Sequence, residues 1–466
     1  MAPPDLLLLL VDTARADAFG PWGGRLKTPV MERLCREGTM YAQASSQAPW
    51  TLPSTASMFS GVLPSQHGIS GDCFAWEDGK PTSPAEAIRS YDEAWLPDTL
   101  RARGYRTWGA SCNTWISAWG GFDRGFERFL DLRDRTRLPK GRAGSVLRRA
   151  RRMYGKVDRG GRQAVEEFGR RLGEAGPEPL FAMVNLMEVH APYDPPRPFY
   201  PYAFWKRANT RRLSGGTTKA RRFLSYNTQV ARPPAEYIET VRSLYYAAAR
   251  YEDWLLGGFV EVVKASGRPT VLLVVADHGE NLGEHGLFNH NSSLRETLLH
   301  VPLAAWGHRV DVGAGRVEEP VSLLGLGDWM RGLADGDATP IAGNGPVVAE
   351  YESTIKHNGI PADIQGMIDS GDPSRVPALV FHPGVAVRRG SMKYVAAEGG
   401  DEALYDLAAD PEESENLLEV RPEAAAEFAP FREAWEKRRA ERPMYEAGDL
   451  AEGEIADHLR TLGYIE

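Results

Sequence analysis

The sequence predicts an α/β chain, a mostly parallel sheet flanked by helices, followed by a smaller C-terminal α+β part. Three observations carry this. Short, continuous apolar runs bounded by turn residues recur along the chain, the pattern of strands buried on both faces. Amphipathic stretches with helical spacing lie between them. The two kinds of segment alternate instead of segregating, which favours crossover connections and a parallel sheet.

In chain order, the strands predicted are Leu6–Val11, Arg106–Ala110, Phe181–Leu186, Val271–Val275 and Val347–Glu350. The helices predicted are Pro29–Glu37, Leu96–Arg103, Ala164–Ala175 and Glu236–Lys264. Toward the end, Ser391–Ala397 and Asp401–Leu407 read as two strands around an Ala-Glu-Gly-Gly-Asp turn, with a polar helix from Pro422 onward. No internal repeat or low-complexity linker stands out, and the division expected is a large domain over 1–340 and a smaller one over 341–466.

The 466 residues, 42% hydrophobic and 25% charged, can bury a sizeable core and exclude a disordered, collagenous or disulfide-scaffold chain. Cys35, Cys73 and Cys112 have no paired or zinc-like spacing. The apolar run Leu6–Val11 is far short of the ~20 residues that cross a bilayer, and Pro3-Pro4-Asp5 lacks a basic leader, so the expectation is a soluble, cytoplasmic protein without a transmembrane anchor. A net charge of −8 argues against a general nucleic-acid binder. The sign is not uniform. Arg133–Arg171 holds fourteen Lys/Arg against four Asp/Glu and reads as a solvated helix pair. Pro195–Ala235 holds nine Lys/Arg, no acid and seven aromatic residues, and is expected to be a lid over an anionic or sugar-bearing substrate.

In open parallel sheets the site lies beyond the carboxyl ends of the strands, so residues after Val11, Leu186 and Val275 come first. The first strand ends in Val-Asp12-Thr13-Ala-Arg15-Ala-Asp17, a carboxylate suited to a hard metal with an arginine three residues on. The last long strand ends in Ala-Asp277-His278-Gly279-Glu280, followed by Gly283-Glu284-His285-Gly286 and Asn289-His290-Asn291; glycines let this carboxylate and imidazole set wrap an ion. Four of the ten histidines fall between 278 and 300, which concentrates the signal there. After Leu186 comes Met-Glu188-Val-His190-Ala-Pro192-Tyr193, which brings Glu188 and His190 to the same sheet edge.

In Ala48-Pro-Trp50-Thr51-Leu-Pro53-Ser54-Thr55, Pro53 suits the first turn of a helix to about Ser60. Thr51 would then stand just ahead of the helix, where free amides and the macrodipole favour an alkoxide or a bound oxyanion once a metal ionises the alcohol. Each segment also has a plainer reading, as cap or loop anchor, when taken alone.

Together and in this order, these segments resemble the sulfatase family of the alkaline phosphatase superfamily, over nearly the whole chain. Gly104-Tyr105-Arg-Thr, Gly121-Phe-Asp-Arg-Gly-Phe126, Leu404-Tyr405-Asp406-Leu407 and Asp410-Pro411-Glu extend the match. The resemblance implies a divalent metal held by Asp12, Asp277 and His278, with Thr51 at the position of the nucleophile and touching the same ion. It implies that His190, His285 and His290 bind the anionic group or protonate the leaving oxygen, with Arg15, Asn113 and Tyr193 at the substrate. The expected activity is metal-dependent ester hydrolysis of a small anionic ester.

Two departures bear on the substrate. Relatives carry Cys or Ser in a Cys/Ser-x-Pro-x-Arg motif that is oxidised to formylglycine, whereas the slots here read Thr51, Pro53 and Thr55, and threonine cannot form that aldehyde. A threonyl ester must be displaced by water, which leans the reading toward phosphoryl over sulfuryl transfer, with a phosphotransferase or a lapsed anion-binding homologue as alternatives. Thr13 stands where many relatives have another metal-binding Asp, and Cys112-Asn113-Thr114-Trp115 replace an expected Lys and His. The mixed carboxylate and imidazole set fits Mn²⁺ or Zn²⁺ better than Ca²⁺, and one ion is expected.

Overall fold

The computed structural model describes residues 3–77, 80–132, 158–203, 206, 209–210, 220–343, 345–353, 362–370, 376–446 and 448–462. Among these residues nine strands form the main sheet. In chain order they are β1 (Asp5–Val11), β2 (Thr39–Ser45), β3 (Arg106–Ser111), β4 (Arg128–Asp131), β5 (Leu180–Leu186), β6 (Thr270–Ala276), β7 (His300–His308), β8 (Gly315–Val317) and β9 (Val321–Ser322). Their spatial order is β8-β2-β7-β6-β1-β5-β3-β4, with β9 also on β2.

Every residue of β1, β5 and β6 is buried, which is why these segments read as unbroken apolar runs. β1 pairs in parallel with both neighbours, setting Val11 beside Leu186 and Ala276. The three following segments therefore leave the sheet at one edge, and the candidate ligands come together there. β7 is the exception to the parallel rule, antiparallel to both β6 and β2. Neither β2 nor β7 was expected from the sequence. β2 mixes polar and apolar residues, and β7 carries Pro302 at a register shift between Val301 and Leu303, where a missing amide is tolerated.

The helices that matter for the site are α1 (Pro29–Glu37), α2 (Thr51–Ser60), α3 (Leu96–Ala102), α4 (Gly161–Gly173), α5 (Ala235–Ser266) and the single turn α6 (Glu296–Leu299). Among the described residues no helix is long and apolar enough to cross a membrane. Of the two basic stretches, residues 133–157 lie outside the described residues, as do 204–205, 207–208 and 211–219 with the aromatic pair Phe204 and Trp205.

The C-terminal part holds an antiparallel meander of β10 (Val347–Tyr351), β11 (Gly384–Arg389), β12 (Met392–Ala397) and β13 (Glu402–Asp406). Gly399 and Gly400, at φ 101° and 106°, make the predicted turn between β12 and β13. Helix α7 (Ala429–Glu441) closes this small core through the buried Trp435, while Phe428 just ahead of it stacks on Tyr394. Beyond Arg442 the chain returns to the large sheet's domain. Ala451 N donates to Pro81 O, Tyr445 Oη donates to His67 O, and Leu459 on helix α8 (Gly453–Leu462) is buried in the main core.

Candidate active site

Asp12 leaves β1 and Asp277 leaves β6, adjacent strands whose ends are in register, so the two carboxylates meet. One ligand atom from each of Asp12, Asp277 and His278 lies within 4.8 Å of the others, and all three side chains are fully buried. Asn113, just beyond β3, donates from Nδ2 to Asp12 Oδ2 at 2.5 Å. Asp277 Oδ1 accepts from the backbone amides of His278 at 2.9 Å and Thr13 at 3.2 Å. Thr13 adopts φ 58° to aim that amide, and Tyr245 on α5 pins the turn by donating to Thr13 O and accepting from Arg15 N.

The remaining oxygens, Asp12 Oδ1 and Asp277 Oδ2, are buried without a hydrogen-bond partner. His278 Nδ1 lies 2.8 Å from Gly279 O, which can only accept, so the proton sits on Nδ1 and the Nε2 lone pair faces the carboxylates. Nε2 stands 3.9 Å from Asp12 Oδ1 and 3.5 Å from Asp277 Oδ2. Three lone-pair donors converging in a buried place need a cation or protons. Burial pushes the Asp277 carboxyl up to about 7, and burial together with the charge of Asp277 raises Asp12 well above its ordinary value. Burial also pulls His278 well below its ordinary value, keeping it a neutral ligand. The donor set suits a divalent ion of the Mn²⁺ or Zn²⁺ type.

Thr51 Oγ1 lies 3.2 Å from His278 Nε2, beside this group. The helix begins at Thr51 itself, where Thr51 was expected just ahead of it, with Trp50 as its extended N-cap. The shift is physically permitted because the first-turn amides have no partner within the helix, so Pro53 loses nothing at the third position. Ser54 Oγ donates to Asp277 O at 2.6 Å, tying α2 to β6 and fixing Thr51 against the cluster.

His190 and His290 complete the group. Their ring centroids are 4.9 Å apart, and His290 lies 4.7 Å from His278. His190 Nδ1 donates to Ala191 O at 2.6 Å, and burial holds its pKa well below the ordinary value. Tyr193 is buried and packs edge-on against Tyr245.

Two expected residues are not brought here. Arg15 is buried, yet its guanidinium pairs with Asp17 at 2.6 Å and Glu284 at 2.9 Å and donates to Glu280 O, so it braces the loop. His285 is exposed, at φ 52°, with Nε2 2.8 Å from Glu412 O of the C-terminal part. Sequence reasoning gave no role to Glu280, a fully buried carboxylate whose Oε1 is 3.3 Å from His290 Nδ1. Its signal was position alone, one glycine beyond the Asp-His pair. From the aromatic stretch, Asn227 holds Phe288 through both its amide atoms, joining that stretch to the His290 loop.

Comparison with known proteins bears on the family and the fold. The family model described as Sulfatase matches residues 4–335. A curated sulfatase of Formosa agariphila is 24% identical over 88% of this chain and 82% of its own length. Among solved structures, the phosphonate monoester hydrolase of Agrobacterium radiobacter superposes with a TM-score of 0.62 at 19% identity, covering 94% of this chain and 96% of that one. A 2-O GAG sulfatase gives 0.64 at 17% identity, covering 98% and 100%. With a family match across more than half its length and the same mostly parallel sheet, this chain belongs to the sulfatase family, a family of ester hydrolases.

Proposed function

We propose that this protein is a metal-dependent hydrolase of small anionic esters that transfers a phosphoryl or sulfuryl group first to Thr51 and then to water. The observation that carries the reading is the hydroxyl of Thr51 placed 3.2 Å from His278 Nε2, beside two buried carboxylate oxygens without partners. Asp12, Asp277 and His278 would hold the ion, which when bound lowers the pKa of a nearby alcohol and offsets charge on the transferred group. Thr51, its hydroxyl proton given up to solvent in the ion-bound state, attacks in line as the alkoxide; the ester bond to the leaving oxygen breaks, and the group rests on Thr51 Oγ1 until water displaces it and Thr51 leaves again as the alkoxide. Positioning and charge compensation supply the rate, as in other phosphoryl transfers.

The proton carrier is His290. Glu280 orients its Nδ1, leaving Nε2 to give a proton to the leaving oxygen and later to take one from water. His190, committed at Nδ1 to Ala191 O, keeps its ring 4.9 Å from that of His290. Asn113 acts on Asp12, whose orientation it fixes.

Initial rates with Mn²⁺ on p-nitrophenyl sulfate, p-nitrophenyl phosphate and a bis-p-nitrophenyl phosphodiester test the reading, with Thr51→Ala as the blank. Turnover of any of the three that vanishes in Thr51→Ala supports it. Turnover that survives in Thr51→Ala overturns it.

A further inference from the structure

We infer that Lys393, on β12 of the C-terminal sheet, is a positioning residue for the turn Asp277–Glu280, acting through α6; the inference rests on the reading that this turn holds the ion. The turn is fastened to α6 by backbone. Gly279 N donates to Leu298 O at 2.8 Å and Glu280 N donates to Thr297 O at 3.0 Å. The fit leaves no slack, because a Cβ on Gly279 would stand 2.1 Å from Thr297 O. Any displacement of α6 is thus passed to His278, whose ring is bonded to Gly279 O.

Helix α6 is four residues long and lacks a side-chain cap, and a single helical turn is unstable alone. Its buried Leu298 and Leu299, and the bond from Thr297 Oγ1 to Asn281 Oδ1 at 2.7 Å, seat its far end on the large sheet's side. The C-terminal part fixes its first residue, Glu296. Lys393 Nζ lies 2.8 Å from Glu296 Oε1 and 2.8 Å from Glu413 Oε1, with the lysine side chain 1% exposed. Glu413 Oε2 accepts from Glu296 N at 2.7 Å, and Arg388 Nη1 lies 3.3 Å from Glu296 Oε2. A buried cation shared by the buried Glu413 and the mostly covered Glu296 tolerates little rearrangement, since losing one partner strands the others' charge. The clamp therefore selects one register of α6, and with it one geometry of the turn.

The test is Lys393→Met, which keeps the length of the side chain and removes its charge. Mn²⁺ affinity is measured by calorimetry on metal-stripped, folded protein, and hydrogen exchange is followed in the peptide containing Gly279 and Glu280. The expected result is Mn²⁺ binding weakened by about 10- to 100-fold, faster exchange in that peptide, and recovery to within about threefold in Lys393→Arg. Glu413→Gln, a milder cut in the same clamp, decides the matter if Lys393→Met does not fold. Arg268→Met is the control, breaking the pair with the buried Asp5 at the opposite end of β1. Folded Lys393→Met that binds Mn²⁺ within twofold of wild type overturns the inference, as does equal weakening in Arg268→Met. If wild type itself fails to bind Mn²⁺, the metal reading falls, and the exchange experiment alone decides whether Lys393 holds the turn.

Discussion

Asp277→Asn separates what the carboxylate does for the site from what it costs the fold. In wild type without metal, the Asp277 carboxyl has a pKa of about 7 against an ordinary 3.8. The folded state therefore holds this proton more tightly than the unfolded chain, and its stability falls as pH rises from about 4 to about 7. Fully ionised, the group costs the metal-free fold on the order of 4 kcal/mol. Asparagine avoids that cost. Its Oδ1 still accepts from Thr13 N and His278 N, while its amide nitrogen takes the position of Oδ2, 3.5 Å from the His278 Nε2 lone pair. The stability gap between variant and wild type should widen by about 3 kcal/mol between pH 5 and pH 8 in chelator. For a chain of 466 residues, at ~2 cal/mol/K per residue, that is about 3 °C in Tm in the variant's favour. Thermal melts at matched scan rate check it, and added Mn²⁺ should raise only the wild-type Tm. A gap that does not change with pH, or an asparagine variant that is the less stable at pH 8, refutes the argument.

Three further outcomes follow from the geometry. Thr51→Ser should keep measurable turnover while Thr51→Ala loses at least about 10³-fold in kcat, and the alanine variant should bind Mn²⁺ within about tenfold of wild type because Asp12, Asp277 and His278 remain. Glu280→Gln should depress kcat for an unsubstituted phenyl ester more than for the p-nitrophenyl ester, since only the poor leaving group needs the proton that a well-oriented His290 delivers; equal losses would remove Glu280 from the mechanism. Arg15→Met and His285→Ala should leave KM for p-nitrophenyl esters within about threefold of wild type, the first with a lowered Tm because Glu284 loses the buried guanidinium it pairs with; a large KM rise in either would place that side chain at the substrate after all.

Much of the site was legible because it is local. Asp12, Asp277 and His278 each follow a strand whose apolar run announces it, and parallel pairing alone brings the strand ends together. Helix α1 was readable to the residue from its proline start, Pro29–Glu37. What the sequence concealed is what depends on tertiary contact. β7 reads poorly because Pro302 interrupts its apolar run, and its antiparallel sense follows from no local signal. Arg15 looks like an anion ligand by position and becomes a brace only through Glu284, two hundred and sixty-nine residues away. His285 and His290 have equal standing in a glycine-rich loop, and only the left-handed backbone at 285, 289, 291 and 292 decides which imidazole turns inward. The return of the chain past Arg442 to the first domain is likewise invisible in a run of polar and small residues.

The charge balance of the centre bears on which ester it takes. Asp12 and Asp277, ionised around a divalent ion, sum to zero. The positions where relatives are expected to carry charge are here Thr13, Thr55 and Asn113, all buried and neutral. Burial draws His190 and His278 toward their neutral forms, Glu280 is offset by the proton-carrying His290 it holds, and Arg15 is already neutralised by Asp17 and Glu284. The charge of Arg159 reaches His190, but its guanidinium donates to Pro192 O at 2.9 Å. With no matching cation among the described residues, bringing a second negative charge into so buried a place carries a desolvation cost that a singly charged ester escapes. A phosphodiester, a phosphonate monoester or a sulfate ester should therefore exceed the dianionic p-nitrophenyl phosphate in kcat/KM at pH 8, by at least about tenfold if one poorly compensated charge costs 1.4 kcal/mol. The reverse order would mean that a cation reaches the transferred group, and replacing Arg159 by methionine would then show whether it is that one.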